Sequence, residues 1–156
     1  MILYHGTNTA FDKIDLRQSR LGKDFGTGFY LTPDKNVAIR QGERKYSQTG
    51  EGAATVKIYQ IAESDVQHLR VLRFEAYTKE WARFIFANRQ NKTLIQIHDY
   101  DIVIGPIADD TVGFQIRRLE DGIITEEQFL EEIRYHRITI QYLFATQAAI
   151  NCLKEI

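Results

Sequence analysis

The stretch Gly22–Asp34, GKDFGTGFYLTPD, limits the possible folds more than any other part of the chain. Its glycines free the backbone to take conformations that a Cβ forbids. Phe29, Tyr30 and Leu31 then follow as strand formers, and the reading places a strand over Phe29–Thr32. Pro33-Asp34 is a turn, and Asp34 has the right chemistry to cap a helix over Asn36–Arg44. A glycine loop, a short strand and a capped helix are thus fixed in sequence. Upstream, Met1–Tyr4 is an apolar strand that stops at His5-Gly6, with "AFDKIDL" a short extended or turn segment and residues 17–27 a polar loop.

Downstream, "ATVKIYQIA" alternates apolar and polar residues, the period of a strand. "HLRVLRFE" reads as another strand. "TKEWARFIFANRQ" has Trp81, Phe84, Ile85 and Asn88 at helical spacing, with Thr78 as its cap. "DIVIGPIA" is a buried strand ending at Gly105-Pro106. "ITEEQFLEEIRYH" is a helix opened by a capping-box pair, Thr125 and Gln128. "RITIQYLFAT" is a strand and "QAAINCLKEI" a final helix. Strands and helices mix without regular βαβ alternation, so the fold class is α+β. Neither a repeat nor a linker interrupts residues 1–156, which read as one domain.

Composition excludes several function classes. At 156 residues a chain buries roughly 70% of its unfolded surface, enough for a core without staples. The net charge of −1 gives no global field for nucleic acid or an anionic membrane. Arg17, Arg20 and Lys23 form a local basic group. The single cysteine, Cys152, cannot make an internal disulfide, and its apolar surroundings read as a core thiol. The N-terminus lacks the pattern of a signal peptide, and no run approaches the roughly 18 apolar residues of a membrane helix. A cytoplasmic location is the expectation.

Two strings carry chemistry. His5-Gly6-Thr7 puts an imidazole beside a backbone free of side-chain cover, which suits either a plain turn or a planar ligand. Tyr30 after its glycine loop is either a core aromatic or the wall of a site. His68, His98 and His136 lack metal-ligand spacing, and no metal site is expected. "GTGFY" lacks the lysine and hydroxyl of a P-loop.

Taken together, "YHGT" and "FGTGFYLTPDKNVA" resemble the ADP-ribosyltransferase superfamily, in its His-Tyr-Glu branch with poly(ADP-ribose) polymerases and diphtheria toxin. Phe25, Gly26, Gly28, Tyr30 and Leu31 match that branch's turn and strand. With "DIVIGPIADD", Trp81 and "QYLFAT", the chain is similar to a small bacterial family of uncharacterised domains in that clan, often encoded beside an antitoxin-like partner. The resemblance implies a split β-sheet core with flanking helices.

It also implies NAD as the ADP-ribose donor. Gly6 would meet the nicotinamide carboxamide, with Thr7 in support. His5 would hold the adenosine ribose, and Tyr30 would stack on the nicotinamide ring. Gly28 and Phe29 would shape the cleft, and Arg20 would face the pyrophosphate. The branch's late glutamate is replaced by Gln141. An amide keeps a hydrogen bond to a ribose hydroxyl but cannot act as a general base, a loss worth on the order of 10²–10⁴ in rate. Asp109 and Asp110 are candidate substitutes, or else a helix cap. The ring that closes over nicotinamide in relatives is absent at Ile39–Gln41, with Tyr46 a possible replacement. The expected function is a mono-ADP-ribosyltransferase of toxin or effector type, acting on a protein or nucleic-acid acceptor. The rivals are a weakly active or inactive NAD or ADP-ribose-binding module, an RNA 2′-phosphotransferase and a purely structural partner-binding domain.

Overall fold

A computed structural model describes residues Met1–Ile156. The alternating segments form seven strands: β1 Ile2–Thr7, β2 Phe29–Leu31, β3 Thr55–Gln60, β4 Val71–Arg73, β5 Ile102–Pro106, β6 Ile140–Phe144 and β7 Lys154–Glu155. The helices are α1 Lys35–Thr49, α2 Glu63–Val66, α3 Lys79–Gln90, α4 Asp110–Glu120, α5 Glu126–Glu132 and α6 Gln147–Ile150. The expected α+β class holds.

Side-chain caps begin the longer helices as the sequence leads one to expect. Asp34 accepts from the Asn36 and Val37 amides at the start of α1, and Thr78 from the Trp81 amide at the start of α3. The Thr125–Gln128 capping box opens α5. Helix α1 runs a turn beyond its expected end and stops at Gly50, whose left-handed backbone closes the C-terminus.

The strands form two sheets, ordered β1-β3-β7 and β2-β6-β5-β4. Every pairing is antiparallel except β4 with β5. A single bridge, Tyr4 to Thr32, joins β1 to the chain just after β2. Leu3, Leu31, Tyr59, Ile104, Tyr142 and Phe144 come from both sheets into one buried cluster. A second cluster packs Val103 and Leu143, on the other face of the larger sheet, against Trp81, Ile85, Ile116 and Phe129 of α3–α5. Trp81 ties the layers together, its Nε1 donating to the Pro106 carbonyl at 3.1 Å.

The C-terminus departs from the expected helix. Helix α6 ends at Ile150, and the chain turns back as β7 along the edge of β3, where the Ile156 amide donates to the Ile58 carbonyl. An unpaired strand edge competes with helix continuation here and prevails. Cys152 lies in that turn, half-buried, with Sγ donating to the Asp65 carbonyl at 3.1 Å. It packs at the margin of a core rather than inside one.

Candidate functional site

Strands β1 and β2 diverge beyond the Tyr4–Thr32 bridge, and a cavity of about 390 Å³ opens beside them. The loop from Thr7 to Gly28 and the side of α1 complete its walls. His5, Thr7, Arg20, Gly28, Phe29 and Tyr30 all line it, so most of the expected site residues meet in one place.

His5 is fixed from two sides. Its Nδ1 lies 2.7 Å from the Tyr30 carbonyl, so the tautomer that fits carries the proton there and donates it. The ring stacks on Phe29 at 4.3 Å between centroids, and Phe11 meets it edge-on at 6.0 Å. Burial, followed by the charge of Lys45, pushes its pKa down to about 4. The imidazole is therefore neutral near pH 7, with Nε2 an acceptor that has no protein partner.

Tyr30 has a structural duty that its position in the sequence does not reveal. Its hydroxyl donates to the Gly26 carbonyl at 2.7 Å and accepts from the Phe25 amide at 3.0 Å, pinning the glycine loop. Burial raises the phenol's pKa far out of physiological range. The Lys23 ammonium sits 5.1 Å from the ring centroid. The loop is clamped again from outside: Asp24 pairs with Arg89, Gln96 donates to the Thr27 carbonyl, and His98 bonds the Phe25 carbonyl. Gly28 has a φ of +150°, and a Cβ there would lie 2.5 Å from Leu143, so the loop could not seat with any other residue.

Gly6 is glycine for a packing reason. A Cβ would come within 1.9 Å of the Ala38 carbonyl oxygen, because α1 crosses β1 at this point. That crossing also brings Lys45 to the site. Ala38, Gly42 and Lys45 share one face of α1 by helical spacing. The Lys45 ammonium reaches round the strand edge to donate to the Gly6 carbonyl at 2.7 Å. Burial and the charges of Lys23 and Arg20 push its pKa down to about 8.

Gln141 is not in the cavity lining. On β6 it pairs with Gly105 of β5 and lies two residues from Leu143, the partner of Tyr30, so it shares that sheet face. Its side chain is buried, and Nε2 has no hydrogen-bond partner. Asp109 caps α4, accepting from the Val112 amide, and holds His136 at 2.7 Å. Neither Asp109 nor Asp110 lines the cavity, and Tyr46 is outside it. The carboxylate that does line it is Asp15, engaged by Arg17 at 2.9 Å. Of the basic trio, Arg20 and Lys23 face the cavity and Arg17 does not.

Sequence reasoning missed Phe11, Asp15 and Lys45. Lys45 was accessible in principle from the α1 spacing once Gly6 was placed under Ala38 and Gly42. No cluster of three or more His, Cys, Asp or Glu side chains is arranged to hold a metal ion.

The family described as "Protein of unknown function (DUF3990)" matches residues 1–154. The chain belongs to that family. Nothing among curated proteins or solved structures matches this member of DUF3990. No helix in it is long and apolar enough to cross a membrane.

Proposed function

We propose that this DUF3990 protein is an NAD-dependent mono-ADP-ribosyltransferase with an ADP-ribosyltransferase-type split-sheet core. The acceptor is a macromolecule and nicotinamide is released. The observation that carries this reading is His5. It is neutral, locked through Nδ1, and free to accept at Nε2 in a cavity lined by Arg20, Lys23 and Lys45. A hydrogen-bond acceptor for a ribose hydroxyl thus sits next to cations for a diphosphate. The aromatic wall of Phe29, Phe11 and Tyr30 suits flat rings.

Cleavage of the glycosidic bond builds positive charge on the ribose and needs the leaving group held. In this reading Tyr30 fixes the loop that covers the ring, and Gln141, on the sheet face it shares with Tyr30, reaches the ribose only once it is uncovered. One observation favours the binding-module alternative. Gln141 is buried away from the cavity, and Asp15, the lining carboxylate, is held by Arg17. An active transferase therefore needs an acceptor that is already nucleophilic, or a movement that exposes Gln141.

The test is incubation with NAD⁺ and a bacterial lysate, followed by an open mass search for adducts and an assay of free nicotinamide. His5→Asn and Gln141→Ala, each checked for native circular dichroism, run in parallel. Adducts on a defined target that vanish with His5→Asn establish the transferase. Binding of NAD⁺ without nicotinamide release leaves the binding module.

A further inference from the structure

The larger sheet has a second open space against one of its faces. On that face Val71 and Arg73 of β4 lie beside Ile102 and Ile104 of β5, and these beside Phe144 and Tyr142 of β6. An open cavity of about 510 Å³ sits against them, and residues between Ile61 and Gln67, with α2, supply most of its other lining. It shares no residue with the cavity beside His5. The lining is apolar apart from Gln67 and two charged side chains, Glu63 on α2 and Arg73 on β4.

Three polar features meet at this cavity with their bonding incomplete. Strand β4 is an outer strand of its sheet. Its bonds to β5 include the Arg70 carbonyl, which accepts from the Ile102 amide, and the Phe74 amide, which donates to the Ile104 carbonyl. Alternation along the strand then turns the amides and carbonyls of Val71 and Arg73 outward, and no bond from a loop or a side chain reaches them. Arg73 has one ion-pair partner, the exposed Glu75, at 3.8 Å. The Tyr142 hydroxyl, on a side chain that is 8% exposed, donates only to Met1 Sδ at 3.4 Å. A thioether is a weak acceptor.

We infer that β4 and this cavity form a docking site for an extended segment of a partner protein, which pairs with the outer edge of β4 and sinks alternate apolar side chains into the cavity. Adding a strand to an open sheet edge satisfies both backbones at once. Successive side chains of a strand point to opposite faces, so every second residue of the segment falls on the cavity side, next to Val71 and Arg73. An acidic residue beside those apolar ones meets Arg73. An apolar small molecule would fill the cavity and leave the Val71 and Arg73 backbone groups unpaired. A second copy of β4 would offer the apolar space only another Val71 and another Arg73. The docking site stands independently of the dinucleotide reading, since the two cavities share no residue.

The test is selection from a phage-displayed library of random linear peptides on the full chain, followed by amide hydrogen exchange of the chain with the tightest selected peptide, made synthetically. Selected sequences should alternate apolar and polar residues, and the peptide should slow exchange at the Val71 and Arg73 amides. Arg73→Pro removes an outward amide and leaves the bonds to β5 in place. Val66→Trp fills the cavity. Each should weaken binding about tenfold or more, with native circular dichroism as the control. The wild-type exchange pattern decides the matter where a variant folds poorly. Binding without protection of the two edge amides makes the cavity a site for apolar groups alone and overturns the added strand. A library that yields no binder, or binders that protect other surfaces only, overturns the docking site. Dimerisation of the chain by itself, with the same two amides protected, overturns the partner in favour of a second copy.

Discussion

Single atoms decide much of the behaviour of this site. The Tyr30 hydroxyl makes two hydrogen bonds that hold the glycine loop, so Tyr30→Phe leaves a buried amide and a carbonyl short of a partner. The expected cost is about 1–3 kcal/mol, read from the urea midpoint. Gln141 is the opposite case. Its Nε2 is buried and unsatisfied, so Gln141→Leu should hold or raise stability by about 1 kcal/mol. If the variant also loses nicotinamide release, the orphaned amide is kept for function at the expense of the fold. Gly6→Ala forces a Cβ against the Ala38 carbonyl and must shift α1. Thermal denaturation should show a loss of about 3 kcal/mol, near the upper end of the overpacking range.

At the scale of elements, legibility followed the source of stability. Where a local signal sets the element, the sequence is enough. Asp34, Thr78 and the Thr125 capping box start their helices where expected. Asp34→Ala should therefore cost about 1 kcal/mol, and circular dichroism melting of the variant checks it. Elsewhere the reading falls short, for two different reasons. Helix α4 passed unnoticed although Val112 and Ile116 bury one side of it against α3 and α5. Its string DTVGFQIRRLE carries that face at Val112, Ile116 and Leu119, an i, i+4, i+7 spacing behind the Asp109 cap, so this element was legible locally and was passed over. Strand β7 is set by the open edge of β3, a partner that lies far back in the chain. The site divides in the same way. His5, Gly28 and Tyr30 lie on pieces whose local shape is encoded nearby. Lys45 arrives by the crossing of α1 over Gly6, and no short string contains both.

The whole molecule should titrate through this cavity. Folding holds His5 neutral, with its pKa down at about 4 against 6.5 in the unfolded chain. Between those values the unfolded state binds more protons, so stability rises with pH there. The contribution of His5 is fully present above pH 6.5 and is lost as pH falls towards 4. The difference in urea midpoint between wild type and His5→Gln, followed from pH 7 to pH 4, should shift in favour of the variant. Lys45 acts in the same sense at higher pH, since its pKa stands at about 8 in the fold against 10.5 outside it. Stability gains from Lys45 as pH rises through that window, while any anion it holds should bind progressively more weakly.

The bridge between Tyr4 and Thr32 is the one backbone pairing between the two sheets. One rung of paired backbone, with amides donating both ways at 2.8 and 2.9 Å, stands at the point where the cavity opens beside the core the sheets share. A ligand seated between His5 and the glycine loop would tie together the same two strands that this rung joins. Hydrogen exchange at the Tyr4 and Thr32 amides should then slow on ligand binding, while the amides of β5 and β6, deep in the larger sheet, stay as they were.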